Sequence, residues 1–460
     1  MTAFFMAGEP RRGPGDLSVV LPDVAPGDVP AAVEAAFSAA GAWARTPLPE
    51  RIARLRAAQL ALAAAKEELA LGIALETGKP LTEALGEVGA VVAKIDLTIA
   101  DAERWLAEEG NLGGPHPALV RRRARGPAAV VGPFNFPLHL GHGANVAHLL
   151  AGNPVIFKPS PLAASVAGRY GELMSPAFPP GVFQVVQGGG AEGEALCLDP
   201  RVRSVCFTGS VPVGKALAKA LAEDFSKDLA LELGGSNALI VCADADLEKA
   251  AHAAAEGACL TAGQRCNATS RVIVERPVAN EFQRRFLDAL AVFQPGDPLL
   301  ATTKLGPVIS ASAVARYERL LAETPGEWLL PGKAEPEVGG KRGHYVQPAV
   351  GLRTDDGATD TECFVPIVSL FIAADLDHAV RLQSATPFGL TASVFTRSEE
   401  TFRAVGDRLE VGNLYANLAT TFSPSTLPFG GLCASGNGRP GGRGFIRFTT
   451  GEQAVQWAEW

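Results

Sequence analysis

Two side chains of this sequence could together perform covalent chemistry on a carbonyl group. Cys266 follows the cation of Arg265, and a neighbouring positive charge favours the reactive thiolate. Glu232 stands 34 positions earlier, where an apolar run meets a Gly-Gly pair, so partial burial could tune it as a general base or acid. A thiol nucleophile and a group that moves protons are what thioester chemistry requires.

A third group, Asn135, could stabilise the oxyanion that such chemistry produces. It lies in the run Gly-Pro-Phe-Asn-Phe-Pro, in which Pro133 and Pro137 restrict the backbone around one amide. Each residue alone has an ordinary alternative. A lone cysteine is more often a small buried apolar residue, and an asparagine often hydrogen-bonds within its own loop. The three together favour catalysis.

Size and composition limit the class of protein. The 460 residues, 47% hydrophobic and 20% charged, predict a globular chain with two large lobes. A net charge of −8 argues against a nucleic-acid partner, and the short basic cluster Arg121–Arg125 is interpreted as a solvated strand edge or subunit contact. Seven cysteines at irregular spacing form neither a disulfide framework nor a metal-ligand pattern, so we expect no metal and a reducing cytoplasm.

One uncharged segment is long enough to span a bilayer. No Asp, Glu, Lys or Arg occurs between Arg125 and Lys158. Prolines and glycines interrupt it repeatedly, so we expect a buried strand, an active-site loop and a core helix. The start, Met1–Met6, lacks the basic and long apolar regions of a signal peptide. We therefore expect no membrane partner and a cytoplasmic location.

The elements that must position these groups follow an α/β order. The first hundred residues are interpreted as helical, and from residue 128 short β-rich runs alternate with helical stretches. Such alternation predicts parallel, doubly wound sheets. A second α/β region is expected after Glu232, with a helix leading to Cys266. The apolar positions that share one early helical face are Ile52, Leu55, Leu62, Leu69 and Ile73, and the expected strands are Ala128–Val131, Val155–Phe157, Phe183–Val186, Val205–Phe207, Ala238–Val241 and Arg271–Val274.

Two strand ends could hold a phosphate-bearing ligand. The turn that contains Gly209, Ser210 and Gly214 follows a strand and opens a helix, whose N-terminus could face a pyrophosphate. Lys158 ends another strand, and the carboxyl ends of parallel strands face ligands.

Short motifs along almost the whole chain resemble the NAD(P)-dependent aldehyde dehydrogenase superfamily. In family order, the matching segments are 76–80, 132–137, 157–160, 207–210, 232–237, 263–266 and 428–431. The resemblance implies a Rossmann-type parallel-sheet cofactor domain at 1–109 and 127–231, an α/β catalytic domain at 232–435, and oligomerisation segments at 110–126 and 436–460. The chain end, 445–460, would pair with Leu112–Arg125 in a small sheet of a homodimer or homotetramer.

The resemblance also implies roles for individual residues. Cys266 would attack the aldehyde, Asn135 and the Cys266 backbone N–H would hold the oxyanion, and Glu232 would activate water. The cofactor would be NAD or NADP. The residues implied to bind it are Phe134, Lys158, Ser160, Gly209, Ser210, Gly214, Leu233, Gly234, Glu362 and Phe364.

Two departures from the family pattern bear on the cofactor. Pro161 stands where NAD-preferring members commonly carry an acidic residue that binds the ribose hydroxyls, so NADP meets less repulsion. Val365 replaces the glycine of the family's Glu-x-Phe-Gly-Pro segment, and a β-branched residue does not readily adopt a positive φ. That loop either sits differently or does not need this geometry.

The substrate is left open by the motifs. The tail 431–440 and the run 76–96 resemble the N-succinylglutamate 5-semialdehyde dehydrogenases of arginine catabolism. Asn267 and Ala268 differ from that pattern, which leaves another small aldehyde possible. A non-catalytic superfamily member with a structural or binding role is a further alternative, although the three catalytic side chains are present. Transfer of the acyl group to coenzyme A is disfavoured by Glu232, which favours hydrolysis.

Overall fold

The structure is a computed structural model and describes residues 11–22, 24–110, 116–355 and 357–458. The interpretation of Met1–Met6 and the beginning of the segment Leu112–Arg125 lie outside these ranges.

The helices alternate with strands over most of the chain. The α-helices of the described ranges are α1 (Val29–Arg45), α2 (Leu48–Ala64), α3 (Lys66–Thr77), α4 (Leu81–Trp105), α5 (His139–Ala151), α6 (Ala164–Met174), α7 (Gly190–Leu198), α8 (Val211–Leu221), α9 (Leu247–Cys259), α10 (Ala279–Leu290), α11 (Ala311–Glu323), α12 (Leu376–Ser384) and α13 (Glu399–Gly406). The strands are β1 (Arg12–Gly13), β2 (Asp16–Val20), β3 (Glu109–Gly110), β4 (Ala118–Ala124), β5 (Ala128–Val131), β6 (Val155–Lys158), β7 (Phe183–Val185), β8 (Ser204–Thr208), β9 (Asp228–Glu232), β10 (Asn237–Val241), β11 (Thr269–Glu275), β12 (Glu327–Leu330), β13 (Ala334–Val338), β14 (Lys341–Val346), β15 (Ala349–Arg353), β16 (Ile367–Ala373), β17 (Phe388–Gly389), β18 (Thr391–Phe395), β19 (Asn413–Ala416), β20 (Pro428–Phe429), β21 (Leu432–Cys433), β22 (Gly436–Asn437), β23 (Gly441–Gly442) and β24 (Thr450–Gln456).

The first large sheet has the order β22-β9-β8-β5-β6-β7. All its pairs are parallel except β22 with β9. Strand β5 is largely buried, as expected for a strand covered by helices on both faces. The chain proceeds from β5 towards β7 on one side and from β8 towards β9 on the other. The border between β5 and β8 is therefore the topological switch point at which such sheets bind ligands.

The second large sheet has the order β12-β15-β16-β11-β10-β18-β19 and is parallel except for β12. One apolar cluster covers each of its faces, and helix α9 belongs to one of these clusters. Both sheets confirm the predicted α/β class. The six predicted strands all occur, and their ends lie within two residues of the predicted ends.

A third, three-stranded sheet has the order β24-β4-β3. The predicted pairing of the chain end is confirmed for its described part, because Thr450–Gln456 runs antiparallel to Ala118–Ala124. Arg121 and Arg122 of β4 form ion pairs with Glu108 and Glu452 at the surface. The basic cluster thus lies on the central strand of this sheet rather than on an edge strand, and a subunit contact there stays a prediction.

The expectation that the first hundred residues are helical was wrong in detail. Strands β1 and β2 form a hairpin before α1, because the alternating stretch Asp16–Val20 follows a Gly-Pro-Gly turn. The apolar positions from Ile52 to Ile73 belong to two helices, α2 and α3, which are separated at Ala65.

Helix α4 contacts the loop that contains Asn135 and the turn that precedes Cys266. It follows Pro80, which cannot continue a preceding helix but suits a helix start. Its apolar residues recur at intervals of three and four, so one stripe is buried. That stripe contains Ala84, Val88, Val91, Ile95, Ile99 and Ala102.

The uncharged segment between Arg125 and Lys158 forms β5, a loop, α5 and β6, as expected. None of the helices in the described ranges combines the length and apolar character that crossing a bilayer requires.

Candidate active site

Four neighbouring strands end at one edge of the first sheet. Lys158 is the last residue of β6, and Glu232 is the last residue of β9. The loop with Asn135 follows β5, and the turn at Gly209 follows β8. Parallel pairing places these ends side by side, with Val131 opposite Lys158 and Thr208 opposite Glu232. The sheet therefore brings four of the predicted segments to one edge.

Cys266 reaches the crevice at this edge from the second sheet and lies beside Glu232. Part of Cys266 is exposed, but the protein surrounds the sulfur, and this burial raises the pKa of the thiol well above its ordinary value. The carboxylates of Glu232 and Glu362 raise the pKa of the thiol further. At neutral pH the resting residue is therefore a thiol that needs a proton acceptor.

Glu232 is suited to accept that proton. Only 2% of its surface is exposed, and neither carboxylate oxygen has a hydrogen-bond partner among the described residues. Burial raises the pKa of Glu232 to about 8, an effect that Cys266 opposes and Glu362 reinforces. A buried carboxylate with no N–H donor among the described residues is a stronger base than an exposed one, as acid–base chemistry near neutral pH requires.

The expectation that Arg265 favours the thiolate was wrong. Its guanidinium donates to Glu83 at 2.7 Å and to the Thr261 hydroxyl at 3.0 Å. It also lies over the Phe136 ring, 4.9 Å from the centroid. The cation is thus neutralised by a carboxylate on α4, and the pKa of the Cys266 thiol is raised rather than lowered.

The chain approaches Cys266 through an unusual backbone turn. Thr261 and Ala262 both have φ of 53°, in the left-handed region that side-chain-bearing residues rarely adopt. Gly263 follows with φ of 69°, and a Cβ there would come within 2.5 Å of the Val365 carbonyl carbon. The predicted helix therefore ends at Cys259, and three left-handed residues turn the chain towards the crevice.

Asn135 joins the two halves of the site. It is buried, and its amide nitrogen donates to the backbone oxygen of Gln264 at 2.8 Å, two residues before Cys266. Its side-chain oxygen accepts from the N–H of Phe136 at 3.1 Å. Asn135 therefore makes the hydrogen bond within its own loop, to Phe136, that the alternative interpretation expected. It also bonds to the loop that carries Cys266. The second N–H of the amide has no protein partner in the described ranges and can serve an oxyanion.

Glu362 and Phe364 contact two of the loops that border the crevice. Gly235 donates its N–H to Glu362 at 3.1 Å, and the carboxylate lies against Gly234. Burial raises the pKa of Glu362 to about 7. The Phe364 and Phe134 rings meet edge to face at 6.0 Å. These contacts bring together four of the predicted cofactor residues.

Val365 does not require the conformation that its side chain disfavours. The positive φ of this loop, 56°, belongs to Phe364, while Val365 is buried and has no positive φ. Val365 itself therefore has no need of a left-handed backbone, and the choice between the two alternatives stays a prediction.

The turn after β8 has the form expected for a phosphate site. Helix α8 begins at Val211, and its cap residue Ser210 makes no side-chain hydrogen bond to the first turn. Gly214 faces Leu233, so a Cβ at Gly214 would come within 2.6 Å of the Leu233 Cδ2 atom. The first-turn N–H groups of a helix without a side-chain cap can bind a phosphate.

Lys158 is almost completely buried and has no close ionic partner among the residues that the structure describes. Its ammonium donates to the Pro159 carbonyl at 3.1 Å, and burial lowers the pKa of Lys158 to about 8. The carboxylate of Glu192 opposes that shift, so α7 supplies a negative charge near the lysine. Pro161 opens a short 3-10 turn that is capped by Ser160. The sequence reasoning missed Glu192, which no local motif connects with Lys158.

The tail near Ser435 holds the strand that carries Glu232. Leu233 donates its N–H to the Ser435 carbonyl at 2.9 Å, and Leu231 donates to the Asn437 side chain at 2.9 Å. Both neighbours of Glu232 are thus fixed by one segment. Ser435 and Asn437 belong to the tail 431–440, whose resemblance to the relatives' tail was evident from the sequence. The contact of this tail with β9 was not predicted.

Asn237 was also missed as a residue of the site. Its amide donates to the backbone oxygens of Cys266 at 2.8 Å and Ala268 at 2.9 Å. It lies in the Gly-Gly-Ser-Asn run that follows Glu232, and this was the available indication of its role.

Comparison with known proteins agrees with this geometry. Residues 15–455 match the Aldehyde dehydrogenase family. The chain is 38% identical over 423 residues to N-succinylglutamate 5-semialdehyde dehydrogenase 1 of Caulobacter vibrioides, with 90% of this chain and 88% of the relative covered. The NAD-dependent aldehyde dehydrogenase from Sinorhizobium meliloti superposes with a TM-score of 0.91 and 32% identity, with 98% of this chain and 92% of that chain covered. An NADP dependent enzyme from E. coli superposes with a TM-score of 0.91 and 30% identity, with 98% and 93% covered.

Proposed function

The chain belongs to the aldehyde dehydrogenase family, and on that premise we propose that it oxidises N-succinylglutamate 5-semialdehyde to N-succinylglutamate. It is an NAD(P)-dependent aldehyde dehydrogenase. The substrate is suggested by the similarity to the Caulobacter enzyme and by the tail motif that holds both neighbours of Glu232. The observation that carries the chemistry is the buried Glu232 carboxylate beside the Cys266 thiol.

The crevice fits a nicotinamide dinucleotide. Lys158 is a buried cation whose ammonium donates to the Pro159 carbonyl, and Ser210 provides no side-chain cap to the first turn of α8. We propose that these groups bind the adenosine ribose and the pyrophosphate, and that Glu362 and Phe364 hold the nicotinamide ribose. The dinucleotide, when bound, supplies the acceptor for a hydride from the substrate carbon.

Cys266, Asn135 and Glu232 would then act in order. The Cys266 thiol gives its proton to the Glu232 carboxylate, and the sulfur attacks the aldehyde carbon to form a thiohemiacetal. The amide of Asn135 and the backbone N–H of Cys266 stabilise its oxyanion. After oxidation to the thioester, Glu232, having released the first proton to solvent, takes a proton from water. That water attacks the carbonyl carbon, the acid departs and the thiol is restored.

We further propose that the first sheet serves the dinucleotide-binding domain at 1–109 and 127–231, and the second the catalytic domain at 232–435. The three-stranded sheet of β24, β4 and β3 would serve assembly into a homodimer or homotetramer, which light scattering after size exclusion would measure. A reducing, cytoplasmic location is supported by seven cysteines that are all free thiols.

Reduction of NAD and of NADP across a panel of aldehydes tests the proposal. The panel includes N-succinylglutamate 5-semialdehyde, its analogue without the succinyl group, and short aliphatic aldehydes. We expect the highest kcat/KM with the succinylated semialdehyde. Preference for an unsuccinylated aldehyde would refute this substrate and agree with the departures at Asn267 and Ala268.

A further inference from the structure

The loop with Asn135 and the loop with Cys266 both rest on one helix. Helix α4 contains Glu83 and Glu87, which are four residues apart and therefore neighbours on one helical face. Each carboxylate holds one of the two loops, and neither belongs to the crevice described above.

Glu83 binds the start of the strained turn before Cys266. Its carboxylate accepts the Thr261 N–H at 3.1 Å, the Thr261 hydroxyl at 2.8 Å and the Arg265 guanidinium at 2.7 Å. Thr261 is a β-branched residue with a positive φ, so its conformation costs free energy. Such a conformation persists only where surrounding contacts over-determine it. The three bonds to Glu83 are contacts of this kind.

Glu87 binds the loop that follows Asn135. Its carboxylate accepts the backbone N–H groups of Leu138 and His139, both at 3.1 Å. The other oxygen accepts from the Lys79 ammonium at 2.5 Å, and both side chains are fully buried. The start of helix α5 is therefore anchored on α4 through one carboxylate.

The Phe136 ring connects the two anchors. The Lys79 ammonium lies 3.7 Å from its centroid, and the Arg265 guanidinium lies 4.9 Å from it. A cation near an aromatic face is attracted by the ring electrons. Each of these cations is also paired with a carboxylate of α4. The ring next to Asn135 is thus held between a partner of Glu87 and a partner of Glu83.

We propose that Glu83 and Glu87 are positioning residues that set the spacing between the Asn135 amide and the Cys266 sulfur. The inference rests on the proposed roles of Cys266 and Asn135. Helix α4 acts as a rigid spacer because its two carboxylates are separated by one turn of hydrogen-bonded backbone. Neither carboxylate touches the reacting atoms.

The Glu83→Gln variant tests this with a matched control on the same helix. Glu103→Gln makes the same change at an exposed position of α4. We expect Glu83→Gln to lower kcat by about 10²-fold, since small misplacements of reacting groups have effects of this size, while KM changes by less than about threefold. The dissociation constant of the dinucleotide should be unchanged, and Glu103→Gln should resemble wild type in each measurement.

A double-mutant cycle with Asn135→Ala separates positioning from general destabilisation. If Glu83 acts by placing Cys266 relative to the Asn135 amide, its loss matters little once that amide is absent. The double variant should therefore have nearly the kcat of Asn135→Ala alone. Fully additive losses would overturn the proposal. The Glu87→Gln variant should show the same coupling from the other loop, and if it does not fold, the Glu83 cycle still decides.

Cys266→Ala, measured in parallel, distinguishes failure of this inference from failure of the proposed function. A wild-type kcat in Glu83→Gln beside an inactive Cys266→Ala would refute the positioning role alone. Activity retained in Cys266→Ala would instead refute the nucleophile on which both proposals depend.

Discussion

The two ends of the cofactor crevice are built in different ways. At one end, Cys266, Glu232 and Asn135 come from two sheets and three distant segments, and a turn of left-handed residues precedes the thiol. At the other end, Lys158 and Gly209 belong to the βα turns after β6 and β8 of one sheet, with ordinary strand and helix geometry. Long-range contacts must hold the thiol end, whereas local chain geometry is sufficient for the lysine end.

Burial also has different consequences at the two ends. At the thiol end it raises the pKa of Cys266 well above its ordinary value and the pKa of Glu232 to about 8, so that a proton can pass between them. At the lysine end it lowers the pKa of Lys158 to about 8, which leaves a cation that gains from any anionic or hydroxyl ligand. We therefore expect changes at the thiol end to alter chemistry and changes at the lysine end to alter cofactor choice.

Replacing the thiol should produce the largest effect on kcat and should separate catalysis most clearly from dinucleotide binding. Cys266→Ala removes the nucleophile, so we expect kcat to fall by at least about 10⁴-fold. Fluorescence titration with NADH should give a dissociation constant close to that of wild type. Weakened dinucleotide binding of similar size would show that the two ends are not independent.

Replacing the base should have the next largest effect, with a characteristic pH dependence. Glu232→Gln should lower steady-state turnover by about 10³-fold, because no base then activates water. The first turnover should also be slow at pH 7, since the Cys266 thiol loses its proton acceptor. It should recover at high pH as the thiol ionises unaided. A first turnover equal to wild type at pH 7 would restrict Glu232 to the hydrolytic step.

The wild-type pH profile supplies a control for that variant. Because the pKa of Glu232 is raised to about 8, most of the residue is protonated below that pH, and the ionised fraction that acts as a base grows as pH rises through about 8. Turnover should therefore increase through this range, and the step should be absent from Glu232→Gln. Turnover that is flat from pH 6 to 9 at saturating substrate would contradict this assignment.

Replacing the oxyanion donor should have a smaller effect. Asn135→Ala removes one hydrogen bond to the developing charge, which corresponds to a loss of about 10²- to 10³-fold in kcat. Asn135→Asp, a matched control for volume, should be no more active because it replaces the donor with a negative charge. If thermal stability alone changes, the amide serves only to hold Gln264.

The smallest effect is expected at the lysine end. We expect wild type to reduce NADP at a rate comparable with NAD, because Pro161 presents no carboxylate to a 2′-phosphate. Pro161→Glu should shift the ratio of the two kcat/KM values towards NAD by about ten- to a hundred-fold, with Pro161→Gln as the uncharged control.

Rejection of NADP by the wild-type enzyme would contradict the role assigned to Pro161. Glu192 would then be the carboxylate to examine, since its charge already acts on Lys158. In that case Glu192→Gln should increase the use of NADP.

Much of the lysine end could be predicted from the sequence. The strands before Lys158 and Gly209 are short apolar runs, each followed by a turn and a helical segment, and the structure places their ends within one residue of the prediction. This succeeded because a βα turn is encoded by neighbouring residues. Glu192 escaped prediction because its approach to Lys158 depends on the packing of α7.

At the thiol end, the residue types were evident from the sequence, but their energetics were not. Arg265 adjoins Cys266 in sequence, yet Glu83 neutralises it and the pKa of the thiol is raised. Phe364 adopts a positive φ, whereas the departure from the family pattern was at the next residue, Val365. A pKa depends on every charge and dipole around a buried group, and a strained backbone depends on contacts from other segments. The sequence by itself determined the family, the strands and the reactive side chains, whereas only the tertiary structure decided protonation, strain and spacing, because these arise from residues far apart in the chain.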